Sequence, residues 1–216
     1  MLRTSTTSTS CASRITFITT SRPTTTTSSP TSISTATRLV ALLGHPVEHS
    51  LSPWMQNAAF AARGLDWAYV ALDVPPEDLA DAVRGLGALG FAGANVTTPH
   101  KVAVAKLVGS ELPSVNTLVG EVGYSTDAAI LDGIEVERPA IIGNGGAAIA
   151  FRHALPQARV FSRKGEWPPD VRDVDLVINA TPVRDEVLVE LGPGQTLVDL
   201  PYPRTATAEA AAAAGA

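Results

Sequence analysis

The chain has 216 residues, of which 45% are hydrophobic, 17% charged and 5% aromatic. This balance excludes a wholly disordered protein, and no apolar run approaches the roughly 20 residues that span a bilayer. The net charge of −5 argues against a general nucleic-acid binder, because phosphate binding needs an excess of positive charge. The single cysteine, Cys11, excludes a disulfide framework and a cysteine-based zinc site.

Residues 1–37 differ in composition from the rest of the chain. They contain 14 Thr and 9 Ser, and their only charged side chains are Arg3, Arg14 and Arg22. So little apolar surface cannot offset the entropy of ordering, which predicts a disordered tail over 1–37. Organellar transit peptides have the same composition, and a start codon assigned too early would produce it as well. We expect a cytoplasmic protein, or an organellar one if this segment is a transit peptide.

From residue 38 onward, short apolar runs alternate with segments of helical periodicity. The run 38–44 ends at a glycine and predicts a buried strand. Ser52 before Pro53 predicts a helix with Ser52 as its N-cap and Gly64 just past its end. Further strands are predicted over 67–74 and 93–97, and further helices are predicted to begin at Pro76 and Pro99.

The second half of the chain repeats this alternation after two short extended pieces between 114 and 126. A helix is predicted over about 127–131, and a new strand begins after Pro139. The alternation predicts an α/β fold with mostly parallel strands, and we place a domain boundary near 135. The predicted domains are 38–134 and 135–216. Strands are expected over 140–142, 159–161, 175–179 and 196–199, with a helix over 147–155.

A glycine turn joins the strand at 140–142 to the helix that follows it. Its pattern, Gly143-x-Gly145-x-x-Ala148, lies where a dinucleotide-binding turn requires it. The first glycine permits the turn, and the second lets the backbone approach a pyrophosphate at the helix N-terminus. A plain loop is the alternative interpretation.

The end of the next strand favours NADP over NAD. NAD-specific folds usually place an acid about 20 residues after the glycine turn, where it binds the ribose 2′-hydroxyl. Here that stretch reads Ser162-Arg163-Lys164, and the first acid is Glu166. Adjacent cations attract a 2′-phosphate that a carboxylate would repel. A solvated basic turn is the alternative.

Three polar clusters follow predicted strands of the first domain, at the edge where open α/β sheets bind ligands. They span 50–53, 95–101 and 116–127. Ser50 and Ser52 alternate, so both hydroxyls are expected to face one ligand carboxylate. The alternative is that Ser52 only caps its helix.

Lys101 and Asp127 have the elements of an acid–base pair. Lys101 lies in the first turn of a predicted helix, where the dipole disfavours a cation, so it is a functional candidate; an ordinary surface lysine is the alternative. A carboxylate can orient the ammonium, which then exchanges a proton with a substrate oxygen. Beside a nicotinamide domain, such a pair implies hydride transfer to or from a secondary alcohol. We expect the two groups to meet near the Gly143 loop, although Asp127 could instead cap its own helix.

Six motifs occur in one order between residues 39 and 216. They are Gly44-His-Pro-Val-Glu-His-Ser50-Leu-Ser52-Pro53-x-Met55-x-Asn57, Asn95-Val-Thr97-x-Pro99-x-Lys101, Val115-Asn116-Thr117-Leu118, Thr126-Asp127, Gly143-x-Gly145-Gly146-Ala147 and Asn179-Ala180-Thr181-Pro182. Together they resemble shikimate dehydrogenase, the NADP-dependent enzyme family of aromatic amino-acid biosynthesis. The resemblance implies reversible reduction of 3-dehydroshikimate to shikimate, in a cleft between an N-terminal α/β substrate domain and a Rossmann-like NADP-binding domain.

The resemblance also implies a role for each matching residue. Lys101 and Asp127 would be the acid–base pair, and Asn116 would hydrogen-bond a ring hydroxyl. The substrate carboxylate would be bound by Ser50, Ser52 and Thr97, with help from Tyr202. The NADP-binding residues would be Gly143, Asn144, Gly145, Gly146, Ala147, Ser162, Arg163, Lys164, Asn179, Ala180, Thr181 and Pro182.

The sequence departs from the family pattern at three places. Ser125 and Ser162 each stand where the family usually has Asn. Family members also continue past the alanine-rich helix with a segment that returns to the substrate domain, whereas this sequence stops at Ala216. We therefore expect an incomplete Rossmann-like domain and weakened activity.

The sequence is also compatible with two other functions. One is a quinate/shikimate dehydrogenase that uses NAD, and the other is a non-catalytic homologue that binds shikimate or a nucleotide. The partner in each case is a small molecule, with no nucleic acid, membrane or metal, and the chain is expected to be a monomer or homodimer. The four histidines lack metal-site spacing: His45, His49, His100 and His153.

Overall fold

The computed structural model describes residues 33–216, and the first part of this region is built on a five-stranded sheet. Its strands are β1 (Arg38–Gly44), β2 (Trp67–Asp73), β3 (Phe91–Val96), β4 (Thr117–Val119) and β5 (Val122–Tyr124). Their order in the sheet is β2-β1-β3-β4-β5. The first three run parallel, and β4 and β5 form an antiparallel hairpin against β3. The carboxyl ends of β1, β2 and β3 therefore share one edge.

Helices cover both faces of this sheet. They are α1 (Ser52–Ala62), α2 (Leu79–Ala88), which follows a 3₁₀ turn over Pro76–Asp78, and α3 (Lys101–Leu107). Alternate residues of β1 point to opposite faces. Ala41 and Leu43 join the core under α2 and α3, whereas Leu42 packs with Tyr69 and with Phe60 of α1.

A second, wholly parallel sheet follows. Its strands are β6 (Pro139–Ile142), β7 (Arg159–Phe161), β8 (Leu176–Asn179) and β9 (Thr196–Asp199), in the order β7-β6-β8-β9. The helices are α4 (Gly146–Ala154) and α5 (Ala206–Ala214). Every residue of β6 and β8 is buried, which agrees with their nearly continuous apolar sequences, because parallel strands are covered on both faces.

The structure confirms the predicted α/β class and corrects two local predictions. Helix α1 begins at Ser52, and Leu51 occupies the N-cap position in a helical conformation, with no side-chain cap. The prediction of Ser52 as N-cap is therefore wrong. The Ser52 backbone N–H donates to the Ser50 hydroxyl oxygen at 3.2 Å. The helix predicted near 127–131 is a 3₁₀ helix, Asp127–Leu131.

Most of the predicted tail, residues 1–32, lies outside the described residues. The predicted domain boundary near 135 lies between the last strand of the first sheet and the first strand of the second, and it stays a prediction. None of the helices in 33–216 combines the length and the apolar character needed to cross a bilayer.

Candidate active site

Lys101 and Asp127 form a nearly buried ion pair. The Lys101 Nζ lies 2.7 Å from Oδ2 and 3.0 Å from Oδ1 of Asp127, and the two side chains are only 13% and 16% exposed. Lys101 is the first residue of α3, where the helix dipole is unfavourable for an ammonium, so the carboxylate compensates for that position. The Asp127 carboxylate bonds Lys101 and Asn116 and accepts no hydrogen bond from the backbone of its own 3₁₀ helix, so it does not act as a cap of that helix.

Asn116 holds Asp127 from the other side. Its Nδ2 donates to Asp127 Oδ1 at 2.8 Å and to Thr126 Oγ1 at 3.0 Å, while its Oδ1 accepts the Thr126 backbone N–H at 3.0 Å. The carboxylate thus accepts hydrogen bonds from an ammonium and an amide together. This arrangement fixes the direction in which Asp127 presents the Lys101 ammonium.

Hydroxyl groups gather at the carboxyl edge of the first sheet. Ser50 lies in the loop between β1 and α1, and Ser52 is the first residue of α1. Thr97 follows β3, the strand beside β1. Tyr202, from the second half of the chain, accepts a long hydrogen bond of 3.4 Å from the Leu51 backbone N–H. The structure thus brings Tyr202 to the two serines, and these hydroxyls are suited to an anionic ligand group.

Gly44 sets the position of Thr97. A Cβ at position 44 would clash with the Thr97 methyl group and would lie 2.7 Å from Val47 Cγ1. Hydrogen bonds tie the same segments together, since the backbone N–H of Thr97 donates to Leu43 O at 2.8 Å. Only the absence of a side chain at residue 44 allows this approach.

The glycine turn lies against Lys101. Gly143 has a φ of +127°, and a Cβ there would lie 2.9 Å from the Ala180 carbonyl oxygen, so the turn requires glycine. A Cβ at Gly146 would lie 2.8 Å from Lys101 Cβ. Ser114, which is buried, donates to the Gly146 carbonyl at 2.8 Å. The Lys101–Asp127 ion pair and the start of α4 are therefore neighbours.

A pocket of about 200 Å³ opens at the carboxyl edge of the second sheet. Seven of the twelve residues predicted to bind the cofactor line it: Gly143, Asn144, Ser162, Arg163, Lys164, Thr181 and Pro182. Ile142, Trp167, Val183 and Leu188 complete the lining. The lining thus combines apolar side chains with two basic ones.

The other five predicted cofactor residues lie beside this pocket. Gly145 is the N-cap of α4, and Gly146 and Ala147 begin that helix. Ala180 contacts Gly143. Asn179 is fully buried and organises the loop after β8: it donates to Asp199 Oδ1 at 2.7 Å and accepts from the Thr181 hydroxyl at 2.8 Å.

The two predicted phosphate-binding cations differ in their partners. Arg163 forms an ion pair with Glu186, and its guanidinium lies 5.6 Å from the centroid of the Trp167 ring. Lys164 makes no ion pair within the described part of the chain. Sequence reasoning missed Glu186 because it lies 23 residues after Arg163, in a loop with no pattern of its own.

Sequence reasoning also missed a polar group that extends from the pair across the first sheet. The Tyr69 hydroxyl donates to Asn95 Oδ1 at 2.8 Å, and Asn95 Nδ2 donates to Thr117 Oγ1 at 3.1 Å. Burial raises the pKa of Tyr69 to about 12. Asn57 brackets the Tyr69 backbone with hydrogen bonds of 2.8 and 2.9 Å. Strand register, which the sequence alone does not reveal, brings these residues together.

Comparison with known proteins was consistent with this geometry. Residues 42–118 match the family of the shikimate dehydrogenase substrate binding domain. An NADP(+) shikimate dehydrogenase of Moorella thermoacetica is 49% identical over 144 residues, covering 58% of this chain and 49% of that protein. Its counterpart from Methanopyrus kandleri is 37% identical over 203 residues, covering 70% of each.

Solved structures give the same result. A crystal structure of shikimate dehydrogenase in complex with NADP+ superposes with a TM-score of 0.72 at 31% identity, over 86% of this chain and 84% of that one. The chain spans about half the length of the Moorella relative. Because the similarity to the Methanopyrus protein extends over most of both sequences, and the fold and the order of the site residues agree with it, the chain belongs to the shikimate dehydrogenase family.

Proposed function

We propose that this chain catalyses the reversible, NADPH-dependent reduction of 3-dehydroshikimate to shikimate. The observation that carries the proposal is the buried Lys101–Asp127 pair, which lies directly against Gly146 at the start of α4. A proton-transfer group is thereby placed beside the turn expected to bind a dinucleotide. The curated relatives named above are NADP(+) shikimate dehydrogenases, which supports the same reaction.

The substrate carboxylate would be bound at the carboxyl edge of the first sheet. Ser50, Ser52 and Thr97 supply hydroxyl donors there, and Tyr202 closes the group from the second half of the chain. Hydroxyl groups that read a polar substrate discriminate strongly, because a ligand that lacks the matching group leaves them unpaired. Asn116 would contact a ring hydroxyl from its position beside Asp127.

Proton transfer would take place at the Lys101 ammonium. In the reducing direction Lys101 gives a proton to the carbonyl oxygen, and in the oxidising direction it takes the proton back from the hydroxyl. Asp127 accepts two hydrogen bonds from the ammonium and one from Asn116, so it holds Nζ in a fixed direction. When bound, NADPH would supply the hydride for reduction, and NADP+ would accept it for oxidation.

The residues present fit NADP at the second sheet. The turn has glycine at 143, 145 and 146, so these positions place no side chain in front of α4, and the pocket beside the turn is lined by Arg163 and Lys164. A helix N-terminus and two cations suit the pyrophosphate and the 2′-phosphate respectively. Ser162 adds a hydroxyl at the same place.

The test is a pair of lysine variants of the same helix. With shikimate and NADP, the parent chain should produce absorbance at the nicotinamide band. Lys101→Ala should lower kcat by about 10²- to 10⁴-fold while shikimate binding is retained, as expected for loss of a general acid. Lys106→Ala removes an exposed lysine from the last turn of α3 and should leave kcat unchanged.

The remaining functions are separate outcomes of that assay. Binding of shikimate without turnover in the parent chain would overturn the proposal in favour of a non-catalytic homologue. Faster turnover with NADH than with NADPH would replace it by an NAD-dependent quinate/shikimate dehydrogenase.

A further inference from the structure

Three side chains join a buried tyrosine to the Lys101–Asp127 pair, and we propose that this tyrosine, Tyr69, positions Asp127. They are Asn95, Thr117 and Asn116, and together they form the hydrogen-bond chain between Tyr69 and Asp127. The inference rests on the proposed function, because it names a residue that sets the geometry of the same catalytic pair.

The hydrogen-bond chain is continuous and crosses the first sheet. Tyr69 on β2 reaches over β1 to Asn95 on β3 at 2.8 Å. Asn95 is the direct strand partner of Thr117 on β4 and donates to its hydroxyl at 3.1 Å. Thr117 donates to Asn116 Oδ1 at 3.1 Å, and Asn116 donates to Asp127 Oδ1 at 2.8 Å.

Backbone groups fix the direction of the bonds at the Asn95 end. The Asn116 carbonyl can only accept, and it lies 3.4 Å from one amide atom of Asn95, which must therefore be Nδ2. The other atom, Oδ1, then faces Tyr69, so the tyrosine hydroxyl must be the donor. Thr117 receives the second N–H of Asn95 and has its own proton left for Asn116.

The direction is fixed in the same way at the Asn116 end. The backbone N–H of Thr126 can only donate, and it points at Asn116 Oδ1 at 3.0 Å. The Nδ2 group therefore faces Asp127, where it meets a carboxylate oxygen. All the bonds thus donate in one direction, from the tyrosine toward the catalytic carboxylate.

Tyr69 is suited to start such a series. It is 3% exposed, and Asn57 holds its backbone on both sides, so the hydroxyl has one well-defined position. Its pKa, raised by burial to about 12, keeps the donor proton in place throughout the working pH range. Without this hydroxyl, Asn95 Oδ1 would lose its donor, and the fixed orientation of the next two side chains would relax.

Kinetic variants test this role. Tyr69→Phe and Thr117→Val should each lower kcat about tenfold and change the KM for shikimate less than about twofold, because neither removes a group that contacts substrate. Thr117→Ser keeps the hydroxyl and should restore kcat. The double variant should be no slower than either single variant, since both interrupt the same series.

Gln195→Leu is the control. The Gln195 side chain, just before β9, donates to the Val171 and Val174 carbonyls at 2.8 and 2.7 Å and accepts the Gly192 N–H at 3.0 Å, and none of these residues lines the cofactor pocket. The variant should lower stability, because it leaves these backbone groups without their partner, but it should leave kcat unchanged. Additive losses in the double variant, no rescue by Thr117→Ser, or an equal fall in kcat for Gln195→Leu would each overturn the inference.

A spectroscopic readout separates this inference from the proposed function. The side-chain NH2 resonances of Asn116 in ¹⁵N NMR report its bond to Asp127 without any turnover. They should shift in Tyr69→Phe and stay in place in Gln195→Leu. Shifted resonances in a chain that does not turn over shikimate would refute only the proposed function, whereas unshifted ones in Tyr69→Phe would refute the positioning role.

Discussion

Two cations of the candidate site are balanced by acids that lie far away in the sequence. Lys101 meets Asp127, 26 residues later, and Arg163 meets Glu186, 23 residues later. The two pairs differ in burial, since the first is nearly enclosed whereas both members of the second are more than half exposed. Burial makes the first pair a fixed part of the site, whereas water screens the second and leaves it free to exchange partners.

The exposed pair leads to a prediction about cofactor binding. A 2′-phosphate that binds Arg163 must compete with the Glu186 carboxylate and is repelled by it. Glu186→Gln should therefore tighten NADP binding about threefold, the size expected of an exposed ion pair, and leave NAD binding unchanged. Titration calorimetry measures the affinities for NADP and NAD at low and high salt. The gain in NADP affinity should shrink at high salt, because salt screens the charges.

The control for this prediction is Glu166→Gln. Glu166 is an exposed acid that pairs with Arg159, on the same strand-and-loop segment as Arg163. The Glu166→Gln variant should bind NADP as tightly as the parent chain does. Equal or weaker NADP binding by Glu186→Gln would contradict the prediction.

At the scale of elements, the sequence was informative where the signal is local. Apolar runs and their periodicity predicted the strands and helices of 38–216, because each pattern lies within a few residues. The N-cap of α1 was not predictable in this way. Leu51, and not Ser52, occupies the N-cap position in a helical conformation, and the Ser50 hydroxyl accepts the Ser52 N–H. Which of two nearby serines serves the helix depends on the backbone of the residue between them.

Helix α5 shows a true side-chain cap and supports a stability prediction. The Thr205 hydroxyl, fully buried, accepts the Ala208 N–H at 3.1 Å and donates to Asp199 Oδ2 at 2.7 Å. Thr205→Ala should lower the free energy of unfolding by about 1–3 kcal/mol, because it removes the cap and leaves Asp199 with one partner fewer. Urea denaturation measures the change.

Thr205→Ser is the control, because serine keeps the capping oxygen. It should cost under about 1 kcal/mol. Equal stability of the alanine and serine variants would show that the cap contributes nothing.

For the whole molecule, the candidate site depends on contacts between the two sheets that no local pattern reports. The sequence motifs predicted both the Lys101–Asp127 pair and the glycine turn, and the structure brings them together. Ser114 and Tyr69 were not predicted, and Thr117 was predicted only as a member of a polar cluster. Their roles depend on strand register and on how the second sheet lies against α3. Such neighbours appear only when the chain is folded.

Gly146 is the position at which this contact between the sheets can be tested. A methyl group there would press on Lys101 Cβ, and overpacking of this kind costs about 1–3 kcal/mol, more than the gain in helix propensity of up to about 1 kcal/mol. Gly146→Ala should therefore lower the unfolding free energy of the free chain and also lower kcat.

The matched control is Gly87→Ala in α2, where an added Cβ would meet no atom within 4 Å. The same substitution in open space should raise the unfolding free energy by up to about 1 kcal/mol. Denaturation in the absence of ligands measures the unfolding free energy of both variants. A stabilising effect of Gly146→Ala would mean that α4 and Lys101 are not held in contact.

The crowding around Gly44 has a genetic consequence. Every missense change at a glycine codon adds at least one side-chain carbon, and here even one carbon would displace Thr97 and Val47. No missense change at the codon for residue 44 is therefore conservative. Variation inherited at that codon would disturb the hydroxyl group of Thr97 without altering any residue that touches a ligand.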